Sequence, residues 1–179
     1  MIKIRPATEA DMGAIQAIYA NYVLNSTASF EEEPPDVAEM SRRYADIIVR
    51  GLPYLVAEAK GKTVGFAYAG PFRSRSAYRY TLEDSIYVSP DAVGKGVGRA
   101  LLGAIIERCG TLGYRQMIGV IGDSTNLASI KLHETLGFRK EGVLKSVGYK
   151  FGRWIDVVIM HKTLGAPDAP PPGGKAGEE

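Results

Sequence analysis

The chain has 179 residues, enough for one domain with a sizeable core. Its 22 Lys and Arg against 20 Asp and Glu leave a net charge of +2, which argues against a protein built to bind bulk nucleic acid. No apolar run nears the roughly 20 residues that span a bilayer, "MIKIRPATEADM" has no apolar signal core and the one cysteine, Cys109, excludes an internal disulfide, so a cytoplasmic protein without a membrane partner is expected.

"IKIRPA" predicts a first strand. Thr8, with Asp11 three residues on, has the form of a capping box, and Ile15, Ile18, Tyr19, Tyr22 and Val23 follow at helical spacing. "EEEPPD" breaks the chain. Asp36 then caps a second helix with Val37, Met40, Tyr44, Ile47 and Ile48 on one face, stopped by Gly51 and Pro53. "YLVAEA" and "TVGFAYAG", joined by "KGK", read as a hairpin. "GPFRSRSAYR" is a loop with three arginines, and "YTLEDSIYV" is expected as a central strand. After "SPDAVGKG" a helix carries Leu101, Leu102, Ile105, Ile106 and Cys109. "YRQMIGVI" is a strand, "NLASIKLHETLGF" a short helix closed by Gly137, and "EGVLKSVGYKFGRWIDVVIMHKTL" a last hairpin. Residues 1–164 are thus expected to form one domain, and the Pro/Gly-rich 165–179 a disordered tail. Strands and helices alternate, so the class is α/β or α+β with helices on both faces of a mixed sheet.

The turn "VGKGVG", residues 93–98, stands between a strand and a helix, the setting in which backbone N–H groups and a helix N-terminus hold an anion. It is not a P-loop, because Lys95 lies between glycines. It is not a Rossmann turn either, because the sixth residue from Gly94 is Arg99 and from Gly96 is Leu101. By itself it fits an anion cradle or an ordinary glycine-rich turn equally.

"SIYVSPDAVGKGVGRALL" followed by "NLASIKLHETLGF" resembles the acetyl-coenzyme A site of the GNAT superfamily of N-acetyltransferases. "YAGPFRSRSAYRYTLEDSIYVSP", "VIGDSTNLASIKLHETLGF" and "GYKFGRWIDV" are similar to its phosphinothricin and methionine sulfoximine branch, over about Ile4 to Leu164. The resemblance implies a mostly antiparallel twisted sheet of six to seven strands, with helices on both faces. It also implies that Val93, Gly94, Lys95, Gly96, Val97, Gly98 and Arg99 hold the pyrophosphate of acetyl-coenzyme A. Val93 departs from the family pattern, which has Gln or Arg there. Ile86 and Val88 match the backbone positions that pair with the pantetheine arm, and an N–H near Tyr87 or Val88 is expected to polarise the thioester. Asn126 joins the pantetheine contacts, besides capping its helix.

Acetyl transfer to an amine needs a proton acceptor, a polarised carbonyl and a proton for the departing sulfur. Glu83, read from the residues alone, is either a strand-edge carboxylate or a base in a dry cleft; the resemblance implies the base. By strand alternation only one of Glu83 and Asp84 is expected to enter the cleft. His133, where many GNAT enzymes carry Tyr, is a structural histidine or the acid for the thiolate. Arg73 and Arg75 are either solvated loop arginines or the donors that a small amino acid's carboxylate needs, and they match basic positions in the related transferases; Phe30 matches an aromatic at the substrate mouth or packs under the second helix. Cys109 reads as core, and no metal site is expected, since the two histidines have no ligand spacing. The function implied is transfer of acetyl to the α-amine of a small amino acid analogue, directly and without an acyl-enzyme, in a homodimer that sets Lys150 or Trp154 near the partner's site. The rival readings are a GNAT enzyme for a protein N-terminus or polyamine, and a non-catalytic acyl-coenzyme A-binding module.

Overall fold

A computed structural model describes residues 1–165; the expected tail, but for Gly165, lies outside them. Seven strands form one sheet in the order β1-β2-β3-β4-β5-β7-β6. They are β1 (Ile2–Pro6), β2 (Tyr54–Ala59), β3 (Lys62–Pro71), β4 (Thr81–Val88), β5 (Gln116–Gly122), β6 (Arg139–Lys150) and β7 (Arg153–Thr163). Every neighbouring pair is antiparallel except β4 and β5. β4 is central, as "YTLEDSIYV" predicts.

Four helices cover the sheet: α1 (Met12–Asn25), α2 (Val37–Val49), α3 (Val97–Thr111) and α4 (Leu127–Thr135). Strand alternation sorts the core into two layers. Tyr54, Val56 and Phe66 meet Met12, Ile15 and Tyr19 of α1 and Met40 of α2. Leu55, Ala67 and Leu82 meet Leu101, Leu102 and Ile105 of α3 on the other face. No helix among the described residues is long and apolar enough to cross a membrane.

The local signals act as read. The Thr8 N–H and hydroxyl both donate to Asp11, whose carboxylate also accepts two bonds of 2.8 Å from Arg5. Asp36 accepts from the Glu39 N–H at 2.8 Å, and Gly137 takes φ +85° after α4. The apolar face of α2 is narrower than expected: Met40 is buried, but Val37 and Ile48 are exposed, because the helix lies over only part of the sheet.

Candidate active site

β4 and β5 pair only through Thr81–Gln116 to Asp84–Gly119 and then diverge, while β4 stays paired with β3 up to Val88. A cavity of about 570 Å³ fills the fork, the size of a small-molecule site. The register shows which backbone groups face it. Phe72 N–H bonds to Thr81 O and Ser89 N–H to Val64 O. In an antiparallel ladder the bonded pairs alternate, so Glu83, Ser85 and Tyr87 spend their backbone groups on β3, whereas Ile86 and Val88 point theirs into the gap. The Val88 groups are taken by Tyr22 of α1: its hydroxyl donates to Val88 O at 2.9 Å and accepts from Val88 N–H at 3.3 Å. The two N–H groups expected to polarise a thioester, those of Tyr87 and Val88, therefore already have partners. Ile86 presents the backbone edge that an extended amide chain can pair with.

Beyond this edge the chain reaches the glycine turn. Gly94 and Gly96 have φ +77° and +81°, conformations that cost a residue with a Cβ. Gly96 caps α3, so the N–H groups of Val97, Gly98 and Arg99 have no carbonyl within their own helix. Val93, Lys95 and Arg99 are exposed, and Lys95 Nζ donates to Asp91 O at 2.5 Å. The Val97 side chain belongs to the core, so only its backbone is available. Gly98 is not a free surface position: a Cβ there would stand 3.2 Å from a methyl of Leu132 in α4. A cradle of this kind suits a pyrophosphate.

Glu83 lies at the apex of the fork. Its carboxylate has no hydrogen-bond or ion-pair partner among the described residues. Burial raises its pKa, the charge of Asp84 raises it further and that of Arg73 opposes them. Asp84 lines the same cavity, contrary to the expectation that alternation would exclude one of the two. Asp84 is the last residue of β4 that pairs with β5, and the strands part directly beyond it, so both carboxylates border the gap. Asp84 Oδ2 lies 3.0 Å from Nε2 of His133, whose Nδ1 lies 2.8 Å from Ser129 O. A carbonyl only accepts, so Nδ1 carries a proton. Burial works against a charged His133, but the bond and the charge of Asp84 outweigh it and raise the pKa above the ordinary imidazole value. A proton given by Nε2 to a departing thiolate would have to leave the bond to Asp84. Asn126 caps α4, accepting from Ser129 N–H at 3.2 Å, and lines the cavity as well.

The α1 side of the cavity is lined by Tyr19, Ser29, Phe30, Glu31 and Tyr68. Phe30 does not pack under α2. Its ring lies in a slot left by Gly148 of β6, where a Cβ would collide with it, and by Gly122 of β5, where a Cβ would stand 3.0 Å from the ring and collide with Thr27 O. Arg43 donates to both oxygens of Glu31, and Tyr19 donates to one at 2.6 Å. Burial alone would raise the Glu31 pKa, but these donors bring it below the usual value.

Arg73 and Arg75 do not line this cavity. With Arg50 and Arg79 they border a second depression over Leu82 and Tyr114, where β4 begins and the sheet is closed. Arg73 is held over the ring of Phe72, and its charge reaches Glu83. Lys150, expected near a partner's site, is buried and bonded within its own chain, while Trp154 is exposed. Sequence reasoning missed Tyr22, which carried the same helical spacing as core residues, and it admitted only one of Glu83 and Asp84 to the cleft, whereas both line it.

A family model described as the acetyltransferase (GNAT) domain matches residues 4–159. A protein of Alcaligenes faecalis named phosphinothricin N-acetyltransferase is 56% identical over 165 residues, 92% of this chain and 84% of its own. A Pseudomonas aeruginosa L-methionine sulfoximine/L-methionine sulfone acetyltransferase is 43% identical over 162 residues, 90% of this chain and 94% of its own. The crystal structure of a GNAT superfamily phosphinothricin acetyltransferase from Sinorhizobium meliloti, in complex with acetyl-coenzyme A, superposes with a TM-score of 0.93. It is 46% identical and covers 98% of this chain and 95% of its own.

Proposed function

The chain belongs to the GNAT family of acetyltransferases, and from that premise we propose that it carries acetyl from acetyl-coenzyme A to the α-amine of a small amino acid analogue of the phosphinothricin, methionine sulfoximine or methionine sulfone type. The observation that carries the reading is the partnerless Glu83 at the fork of β4 and β5, between the Ile86 edge and the Phe30 side. Its raised pKa suits a general base near neutrality. Acetyl-coenzyme A lies along Ile86, with its pyrophosphate in the turn from Gly94 to Arg99, on the open N–H groups of Val97, Gly98 and Arg99, and its arm beside Asn126. The acceptor enters from the side of Tyr19, Phe30 and Tyr68.

Glu83 takes a proton from the incoming ammonium, directly or through a water, and later returns it to solvent. The freed amine attacks the thioester carbon, the C–S bond breaks, and the new N–H⁺ group gives its proton to the departing sulfur. Transfer is direct, because the one cysteine, Cys109, is buried in the core with its thiol pushed up to about 12, mainly by burial. His133 orients α4 against the fork through Asp84 and Ser129. Arg73 acts on the site through its charge, and Arg75 borders the same basic approach. The exposed rings of Tyr149, Phe151 and Trp154 on the β6–β7 hairpin support a homodimer, and the reading includes a cytoplasmic location. An assay of thiol release checks the substrate class. Methionine sulfoximine, methionine sulfone or phosphinothricin is expected to be turned over well and spermidine poorly; a better rate with spermidine or a peptide N-terminus would overturn it.

A further inference from the structure

Lys150 is the last residue of β6, next to a turn, where a lysine is ordinarily solvated. It is instead 3% exposed, and its Nζ donates to Ser29 O at 2.7 Å and Ser26 O at 2.9 Å. Among the described residues no carboxylate lies within ion-pair distance of the ammonium. Burial pulls its pKa below the usual lysine value, and Glu32 and Glu31 oppose this only through their charge. An ammonium buried without a counter-ion is costly, so its retention points to what it binds.

Both carbonyls belong to the segment that follows α1. That segment carries Ser29, Phe30 and Glu31, which line the acceptor side of the cavity. β6 also supplies Gly148, whose missing side chain makes room for the Phe30 ring, and Thr27 Oγ1 donates to Asp123 Oδ2 at 3.1 Å from the same segment. Lys150 itself does not line the cavity. We propose that Lys150 is a positioning residue for the acceptor: it clamps the 26–31 segment onto β6, so that Phe30 stays seated between Gly122 and Gly148 and shapes the acceptor side of the cleft. The proposal rests on the reading that the Phe30 side receives the acceptor.

The test uses Lys150→Met, Lys150→Gln, Phe30→Ala and the Lys150→Met/Phe30→Ala double variant. Steady-state kinetics with methionine sulfoximine gives KM and kcat, calorimetry gives coenzyme A affinity, and circular dichroism checks folding. Lys150→Met is expected to raise the acceptor KM about tenfold, the effect of losing roughly one charged hydrogen bond. Its kcat should change less than threefold and its coenzyme A affinity not at all. Lys150→Gln, which keeps an NH₂ donor, is expected to fall between wild type and Met and covers the case in which Met does not fold. The double variant should be no worse than the worse single one, because both changes act through the same ring. An unchanged acceptor KM in folded Lys150→Met or Lys150→Gln overturns the clamp and leaves the acceptor side standing. Multiplying effects in the double variant, or a parallel loss of coenzyme A affinity, also overturns it. An unchanged acceptor KM in Phe30→Ala overturns the assignment of the acceptor side, and the proposal with it.

Discussion

Nε2 of His133 lies 3.0 Å from Oδ2 of Asp84, across the space between α4 and β4, and both residues are more than nine-tenths buried. The other nitrogen of the ring is bound to Ser129 O, and Gly119 leaves the ring its place, since a Cβ there would stand 2.9 Å from it. The imidazole is thus fixed on three sides, and its proton inventory is set by Asp84. His133 is expected to titrate above the ordinary value of about 6.5. A raised folded-state pKa contributes stability in full below the unfolded value and loses it as pH rises through the folded one. Asp84→Asn removes the charge and leaves the burial, so the His133 pKa should drop below the ordinary value. Imidazole NMR titration of the two proteins measures this, and an unchanged His133 pKa in the Asn variant would contradict it.

Glu83→Gln keeps the shape of the fork and removes the proton acceptor. Turnover should fall by about 10²–10⁴, with coenzyme A affinity nearly unchanged. In the wild type the acid limb of the pH–rate profile should lie above the ordinary glutamate value of about 4.3, since burial raises the Glu83 pKa. Activity requires the deprotonated form, so rate rises with pH through that limb. Arg73 opposes the shift, and Arg73→Ala should therefore move the limb to higher pH. A limb that moves down in Arg73→Ala contradicts the electrostatic coupling.

Gly94 and Gly98 separate two uses of glycine in one turn. At Gly94, φ is +77° and a Cβ meets nothing within 4 Å, so Gly94→Ala is strained by roughly 1–2 kcal/mol without a clash. It should weaken coenzyme A binding by distorting the cradle. Gly98→Val pushes against Leu132 and should cost stability by overpacking as well, about 1–3 kcal/mol. Calorimetry with coenzyme A and thermal melts of both variants test this; unchanged coenzyme A affinity in Gly94→Ala, or a Gly98→Val protein that melts like the wild type, would contradict it.

Tyr22 is the one side chain from α1 that bonds to the backbone of β4 at Val88. Tyr22→Phe keeps the ring against Tyr87 and removes both hydrogen bonds. Two part-buried backbone groups then lose their partner, at a cost of about 1–3 kcal/mol. Denaturant unfolding of the variant measures it, and a loss below a few tenths of a kcal/mol would show that water replaces the hydroxyl.

The order of elements, the caps at Asp36 and Gly137, the central strand and the glycine turn were all legible in the sequence, because each is fixed by neighbours within a few residues. The periodicity of "TLEDSIYV" marks a strand wherever the rest of the chain goes, and a left-handed glycine marks a helix end by its own backbone. Glu83 could be singled out as a carboxylate in an apolar strand. Its isolation, and the presence of Asp84 in the same cavity, depend on β5 turning away after Gly119. Pairing between segments more than thirty residues apart decides that, and no local pattern encodes it. Likewise "FRSRS" announces positive charge but not its address, and the fold puts Arg73 and Arg75 over the closed end of the sheet. Lys150, which the resemblance sets near a partner's site, is held instead by its own chain, where Ser26 and Ser29, more than 120 residues away, place two carbonyls on its ammonium. Short-range sterics and hydrogen bonding determined the parts; the burial of charges against distant partners was decided only by the tertiary structure.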